Sequence, residues 1–531
     1  MLQIGKKIKK IPFFDMIPWI WMAVGFLYDM WYQIYPGKWV LDSDLASEMV
    51  LSDLLNSTGE IISKNWYYSS EVRVFQSQWF YRIGLLIFPN NWHYARVFAS
   101  ALLLLVFLTA ILFMAHLIGM GKYGAWFGAI LMWPFSSWYL VYGLYGTYYI
   151  IYMLFSVLTV SVLVLLSKSH GFKTILLYIL GLFLAFASGL NGIKQTMIFF
   201  APLLVASFFV LLLAIRKNKP HVRKELFETC KSEIRMLGNT IVFVICNVAG
   251  YLANSRILSK YYSFADYGEM IWTWDFQRSF TDVWLDFFLL FGHQRNVLVL
   301  SFCGIVSFLG ILFGAVIVFS MIRLCFHHDR LSSEQKLILL LVISTLVVCG
   351  CVFALMEVDY KLYYWLPLFP FAIAILLIEI QTEDFSMNNA REALLIGLGV
   401  CVTLCSVGTV KKEIEAPLFG RKGINQVADW LVENGYTQGY AIFWNSNVLR
   451  EMSNGKIETW TIYSGENDFI YQWLQEVEHT TTKPEEPYFL FINSEIGGGP
   501  ECYQMLQNGE GVLVYEDAPF YVYSFDSSLE N

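Results

Sequence analysis

The sequence predicts an α-helical multi-pass membrane protein with about 11 transmembrane helices, extracytoplasmic interfacial helices and a small C-terminal α/β domain. Three observations carry that reading. Hydrophobic residues make up 56% of the 531 residues and charged residues only 15%, with a mean hydropathy of +0.51, whereas soluble domains carry about 25% charged residues. Apolar runs of roughly 20 residues, the length that crosses a bilayer, recur along the first 410 positions. Beyond residue 411 the apolar segments shorten and alternate with helical patterns.

The first run follows Lys6, Lys7, Lys9 and Lys10 and has no small-residue cleavage site, so it is expected to be an uncleaved anchor at 12–34. Further spans are expected at 96–118, 123–142, 147–167, 174–190, 195–215, 237–256, 297–322, 337–356, 362–380 and 393–410. With the N-terminus cytoplasmic, the inner segments total about 70 residues and hold 18 Lys and Arg, seven of them in 216–235. The outer segments before residue 411 total about 115 residues and hold 11, counting Arg96 and Arg256 at the span ends. That asymmetry predicts a cell-membrane protein with a cytoplasmic N-terminus and an extracytoplasmic C-terminal domain. The transmembrane domain is then 1–410, with long outer loops at 35–95 and 257–296, and the α/β domain is 411–531.

Both long outer loops are rich in Trp and Tyr, and each carries an amphipathic stretch, at 74–88 and 276–291. Such helices lie in the membrane interface and can frame a groove for a lipid; an aromatic belt accounts for most of the rings. In the tail, strands are expected at 440–444, 457–463, 487–492 and 511–525, and helices at 422–434, 447–453 and 467–477. Gly497, Gly498 and Gly499 sit there without a strand–glycine–helix fingerprint, so no nucleotide site is expected.

Several functions are excluded or disfavoured. A net charge of −7 speaks against a nucleic-acid partner. Nine cysteines are too few for a disulfide framework, and Cys502 has no partner in its own region. His327-His328-Asp329 lacks further ligands, and the spacing of His, Cys and acids predicts no zinc site.

Chemistry concentrates where the first outer loop opens: Asp42-Ser43-Asp44-Leu45-Ala46-Ser47-Glu48. A helix starting near Asp44 puts Asp44, Ser47, Glu48 and Ser52 on one polar stripe. Paired carboxylates at a membrane surface suit general-base work or a divalent metal; the plainer reading is an N-cap with first-turn acids. Cations at the same depth include Arg73, Lys194, Arg295 and Lys361, any of which an anionic lipid phosphate would use.

With these features in place, the layout resembles the GT-C superfamily of integral-membrane glycosyltransferases, and within it the family-39 type enzymes, the protein O-mannosyltransferases and aminoarabinose transferases. In that pattern a first acid is followed directly by a second, and another comes about six residues later. Asp42 and Glu48 match the first and last positions; Ser43 departs, which leaves Asp44 as the displaced candidate. The stretch Lys361 to Pro370 resembles the family's basic residue, aromatics and two prolines three apart. The resemblance implies a sugar moved from a polyprenyl-phosphate donor to a hydroxyl of a glycan, lipid or protein. Asp42 and Asp44 would be catalytic, while Glu48, Arg73, Lys194, Arg295 and Lys361 would bind the lipid phosphate and sugar. No cofactor is assigned; a divalent metal, if one takes part, would be held by Asp42 and Asp44. The competing readings are a non-catalytic envelope-assembly or export protein and a transporter or flippase. The latter predicts polar residues in the middle of several spans, which here are mostly clean.

Overall fold

The computed structural model describes residues 13–219, 223–264, 271–272, 283, 286–357, 361–383, 388–417, 423–462, 470–496 and 511–525. Nine helices among them are long and apolar enough to cross a membrane. They are α4 (Trp92–Leu117), α6 (Tyr148–Lys168), α7 (Phe172–Leu190), α8 (Ile193–Asn218), α9 (Lys231–Lys260), α10 (Phe302–Phe326), α11 (Ser333–Leu355), α12 (Leu362–Thr382) and α13 (Asn388–Glu415). They coincide with nine of the eleven expected spans.

The other two differ from these nine. The anchor is α1 (Phe13–Ile34), a continuous 22-residue helix that carries Asp15 and Asp29. The expected span at 123–142 is interrupted: α5 (Tyr123–Leu131) ends, residues 132–136 leave the helix, and a short helical stretch resumes at 137 and continues as a wide π-type helix at Tyr139–Tyr145. Pro134 accounts for the break, because it has no N–H to donate and its ring collides with the carbonyl four residues back. Broken backbone at this depth is tolerated where protein surrounds it, and nearly every side chain from Tyr123 to Thr147 is buried.

Residues 35–91 fold over one end of the bundle, with α2 (Ser43–Thr58) and α3 (Gln78–Ile87) packed on each other. The amphipathic stretch expected at 74–88 is thus a helix from residue 78 onward. Of the stretch at 276–291 only its end is described in full, as a 3-10 turn at Phe287–Phe291; most of 276–285 lies outside the described residues. Two short backbone segments, Ile271–Trp272 and Met356–Glu357, pair antiparallel.

The C-terminal domain is a five-stranded mixed sheet in the order β2-β1-β3-β5-β4. Its strands are β1 (Gln438–Ile442), β2 (Glu458–Ile462), β3 (Tyr488–Asn493), β4 (Val512–Asp517) and β5 (Phe520–Phe525). β1 runs parallel to β2 and β3, while β3–β5 and β5–β4 are antiparallel. Two helices accompany it, α14 (Ile424–Glu433) and α15 (Phe443–Met452). The expected strand 511–525 is a hairpin, and Phe443 and Trp444 open a helix instead of closing a strand. Residues 470–476 are not helical, against the helix expected at 467–477; 463–469 lie outside the described residues, as do Cys502 and Gly497 to Gly499.

This domain is not a detached appendage. α15 packs along α2, Trp92 N–H donates to Asn454 at 2.8 Å, and Tyr67 N–H donates to the Gln475 carbonyl at 2.7 Å. Loop 35–91, the start of α4 and the C-terminal domain therefore form one end of the molecule.

Candidate functional site

The site is built on the first turn of α2. Asp42 is its N-cap: its backbone is extended, and Oδ1 accepts the Leu45 N–H at 2.9 Å, satisfying one of the amide groups a helix start leaves over. Asp42 is buried, and its Oδ2 has no hydrogen-bond partner among the described residues. Burial, reinforced by the neighbouring Asp44, pushes the Asp42 carboxyl up to about 7. The Leu45 amide and the Arg96 charge pull the other way.

Asp44, one position into the helix, is only half-buried. Burial raises its carboxyl, and that rise is opposed by the charges of Arg73, Lys194 and Lys361 and by a hydrogen bond from the Trp473 side chain. Four segments far apart in sequence thus converge on one carboxylate. Glu48, one turn further along α2, is buried and forms an ion pair with buried Arg73, whose second nitrogen reaches Ser69 Oγ at 3.0 Å. Ser77 Oγ donates to the other Glu48 oxygen at 3.2 Å.

Lys194 sits at the α8 start, a quarter exposed, 3.4 Å from Glu71. The glycine before that helix, Gly192, has φ +91°, and a Cβ there would meet Glu71 at 3.0 Å. Tyrosines complete the surroundings: Arg73 lies 4.8 Å over the Tyr148 ring, Lys194 lies 5.8 Å from the Tyr364 ring, and Tyr142 and Tyr363 pack 4.2 Å apart. Asp44, Tyr148, Lys194, Tyr363 and Tyr364 are all partly accessible and Lys361 is exposed, whereas Asp42, Glu48 and Arg73 are buried. The arrangement is an accessible carboxylate among cations and aromatic rings, above a dry layer of paired charges.

Arg295 has a partner of its own. It pairs with Asp286, and its side chain is 56% exposed. His328 and Asp329 are 3.6 Å apart in an exposed turn at the other end of the bundle.

Two features were not visible in the sequence. Arg96 is fully buried at the α4 start, and Glu451 of α15 holds it with both oxygens at 2.5 and 2.6 Å. Its remaining donors reach Tyr81 Oη at 2.9 Å and the Leu45 carbonyl at 3.0 Å, which ties α15 to the acid-bearing turn. An arginine at the head of an apolar run was the only local signal. The second is a group formed by Glu458, Glu476 and His479, whose ligand-type atoms lie within 4.8 Å of one another. On distance alone an ion could be held there, contrary to the spacing argument. The donors do not fit one well. Glu476 already accepts from Arg450 at 2.6 Å and from Asn65 at 3.1 Å, and His479 bridges Glu458 and Gln475 at 3.0 and 3.1 Å. Asp42 and Asp44 fit a metal no better, since three cations face Asp44 and would repel a divalent ion.

The sequence matches no known protein family and no curated protein. The fold does have solved counterparts. ArnT from Cupriavidus metallidurans in the apo state superposes with a TM-score of 0.60 at 12% identity, over 96% of this chain and 98% of that one. The same protein bound to undecaprenyl phosphate gives a TM-score of 0.55 at 12% identity, with the same coverage. The likeness extends over almost the whole of both chains and shows a shared fold.

Proposed function

We propose that this protein is a membrane glycosyltransferase that moves a sugar from a polyprenyl-phosphate donor to a hydroxyl of a cell-envelope acceptor on the extracytoplasmic face. The observation that carries the reading is Asp44, an accessible carboxylate facing Arg73, Lys194 and Lys361 at the end of an apolar bundle. The ArnT fold counterpart, crystallised with undecaprenyl phosphate, supports a lipid-phosphate donor.

In this reading Asp44 accepts the proton of the incoming hydroxyl as it attacks C1 of the sugar, and the carbon–oxygen bond to the lipid phosphate breaks. Lys194 and Lys361 hold the departing phosphate and Arg73 adds its charge from the layer beneath, as stabilisation of developing negative charge requires. Asp42 caps the helix and stays beneath, and Glu48 keeps Arg73 in place. Arg295, engaged with Asp286, is left out of the phosphate group. No metal step is needed. The Lys and Arg asymmetry supports a cytoplasmic N-terminus and this end of the bundle outside.

The test is transfer from a synthetic polyprenyl-phosphate sugar by purified protein, with Asp44→Asn and Asp42→Asn alongside. Full transfer by the double variant would overturn the reading.

A further inference from the structure

Trp473 is 9% exposed and belongs to the C-terminal domain, yet its side chain lies beside Asp44 of the first outer loop and acts on that carboxyl as a hydrogen-bond donor. An indole N–H only donates, so the bond favours the ionised carboxylate. Several independent contacts fix this geometry. The Asn447 side chain donates to the carbonyl of Leu474, next to Trp473, at 2.9 Å, and the Asn447 amide donates to Ser43 Oγ, next to Asp44, at 3.2 Å. Arg96, clamped by Glu451, holds the Leu45 carbonyl on the other side of Asp44. Tyr471 stacks on Trp473 at 6.2 Å between centroids and meets Phe443 of α15 edge-on at 5.6 Å. The residues flanking Asp44 and the residue beside Trp473 are thus held by one helix.

We infer that Trp473 is a positioning residue through which the C-terminal domain sets the orientation and charge of Asp44. This rests on the proposed role of Asp44 in a lipid-phosphate site. The consequence is that the domain takes part in the site directly: the ionised state that Trp473 favours is the one in which Asp44 can take a proton, and the one in which it competes with a phosphate for the three cations.

The groups facing Asp44 are Arg73 from the first outer loop, Lys194 from the α8 start, Lys361 before α12, and Asp42 on its own element; Tyr142 and Tyr363 lie close by. An ionised Asp44 competes with a bound phosphate for these cations, so binding tightens as pH falls through the Asp44 transition. Removing the indole donor raises that transition. The titration of the phosphate itself is common to all variants and cancels between them.

The experiment measures undecaprenyl phosphate binding to full-length protein in lipid nanodiscs between pH 4 and 9. The wild type, Asp44→Asn, Trp473→Phe and Trp473→Gln are compared. The expected result is a pH-dependent component that Asp44→Asn abolishes and that Trp473→Phe moves up by about one pH unit. Trp473→Gln keeps an N–H donor and should stay nearer the wild type than Phe does. A merely structural ring predicts the reverse order, because Phe fills the apolar space better than Gln. If the wild type does not bind, or Asp44→Asn keeps the pH dependence, the Asp44 reading itself fails. If Asp44→Asn removes it while Trp473→Phe leaves the midpoint in place, or Gln falls further from the wild type than Phe, the role of Trp473 alone is overturned.

Discussion

The two ends of the helical bundle handle charge in opposite ways. At the acid-bearing end, Arg73–Glu48 and Arg96–Glu451 have side-chain exposures of 6% and 1%, and of 1% and 4%. At the other end the cations are open to solvent, Lys168 by 57% and Arg323 by 34%, although their partners Glu334 and Glu379 are only 11% and 12% exposed. Exposed pairs contribute little, since water screens them and long side chains lose freedom when pinned. Buried pairs carry a desolvation cost that only close partners offset. Where apolar side chains could have filled the acid-bearing end, the chain keeps these two buried pairs, and each of their four charges has a named partner. Under the proposed function the wet end faces the cytoplasm, where Lys and Arg are favoured, and the dry end is where charge is kept for chemistry.

The sharpest break of that comparison is at the acids. Asp44→Asn should lower kcat for donor transfer by about 10²–10⁴-fold, the range of general-base catalysis. Asp42→Asn should lower it far less, because Asn still caps the helix and Asp42 is closed to an incoming hydroxyl. The reverse ranking would exchange the two roles. Next comes Glu451→Ala. It leaves the Arg96 guanidinium buried and unable to shed its proton, so a loss of about 3–5 kcal/mol in denaturation of the detergent-solubilised protein is expected. A shift under about 1 kcal/mol would mean that water reaches Arg96.

Much of this architecture was legible in the sequence, because the signals are local. Nine spans follow from apolar length, and the α2 start follows from Asp42-Ser43-Asp44, whose cap chemistry acts within three residues. What stayed hidden depends on contacts across the chain. Arg96 and Glu451 are 355 positions apart, and each looks ordinary in its own segment. Trp473 lies in 467–477, whose spacing of apolar residues suggested a helix; its backbone is instead shaped by contacts with α15 and loop 35–91. At 123–142 composition suggested a span, and Pro134 outweighed it. The plain N-cap reading of Asp42 is what the structure shows; the functional reading of the acids rests on Asp44 as a proposal.

Protonation offers an intermediate effect. Folding raises the Asp42 carboxyl from its ordinary 3.8 to about 7. The folded state therefore binds this proton more tightly than the unfolded chain does. The resulting stability is fully present below about pH 4 and is lost as pH rises through about 7. Asp42→Asn keeps the cap acceptor and removes the titration. The denaturation midpoint of the variant minus that of the wild type should thus be flat at low pH, climb between about pH 4 and 7, and level off above. A difference that does not vary with pH would mean that Asp42 is hydrated. Smaller again is Arg73→Lys. An ammonium cannot bridge Glu48 and Ser69 as the guanidinium fork does, so about 1–2 kcal/mol should be lost. Undecaprenyl phosphate affinity should fall with it, which equilibrium binding would read.

The smallest effect is expected at the other end, and it calibrates the rest. Lys168 closes α6, and its ammonium lies 2.5 Å from Glu334. The contrast with Arg96 is one of solvent: more than half of the Lys168 side chain is exposed, while Arg96 is sealed. On replacement by Ala, Glu334 keeps its own backbone amide and the Ser332 side chain as hydrogen-bond partners, and the space left is open to water and lipid headgroups. Lys168→Ala should therefore change stability by no more than about 1 kcal/mol, leave transfer activity at the wild-type level, and lose even that small effect in high salt. Denaturation at two ionic strengths beside Glu451→Ala makes the comparison direct. If the Lys168 variant lost as much as the Glu451 variant, partner loss at either end would cost the same, and burial would no longer explain why charges are kept at the acid-bearing end.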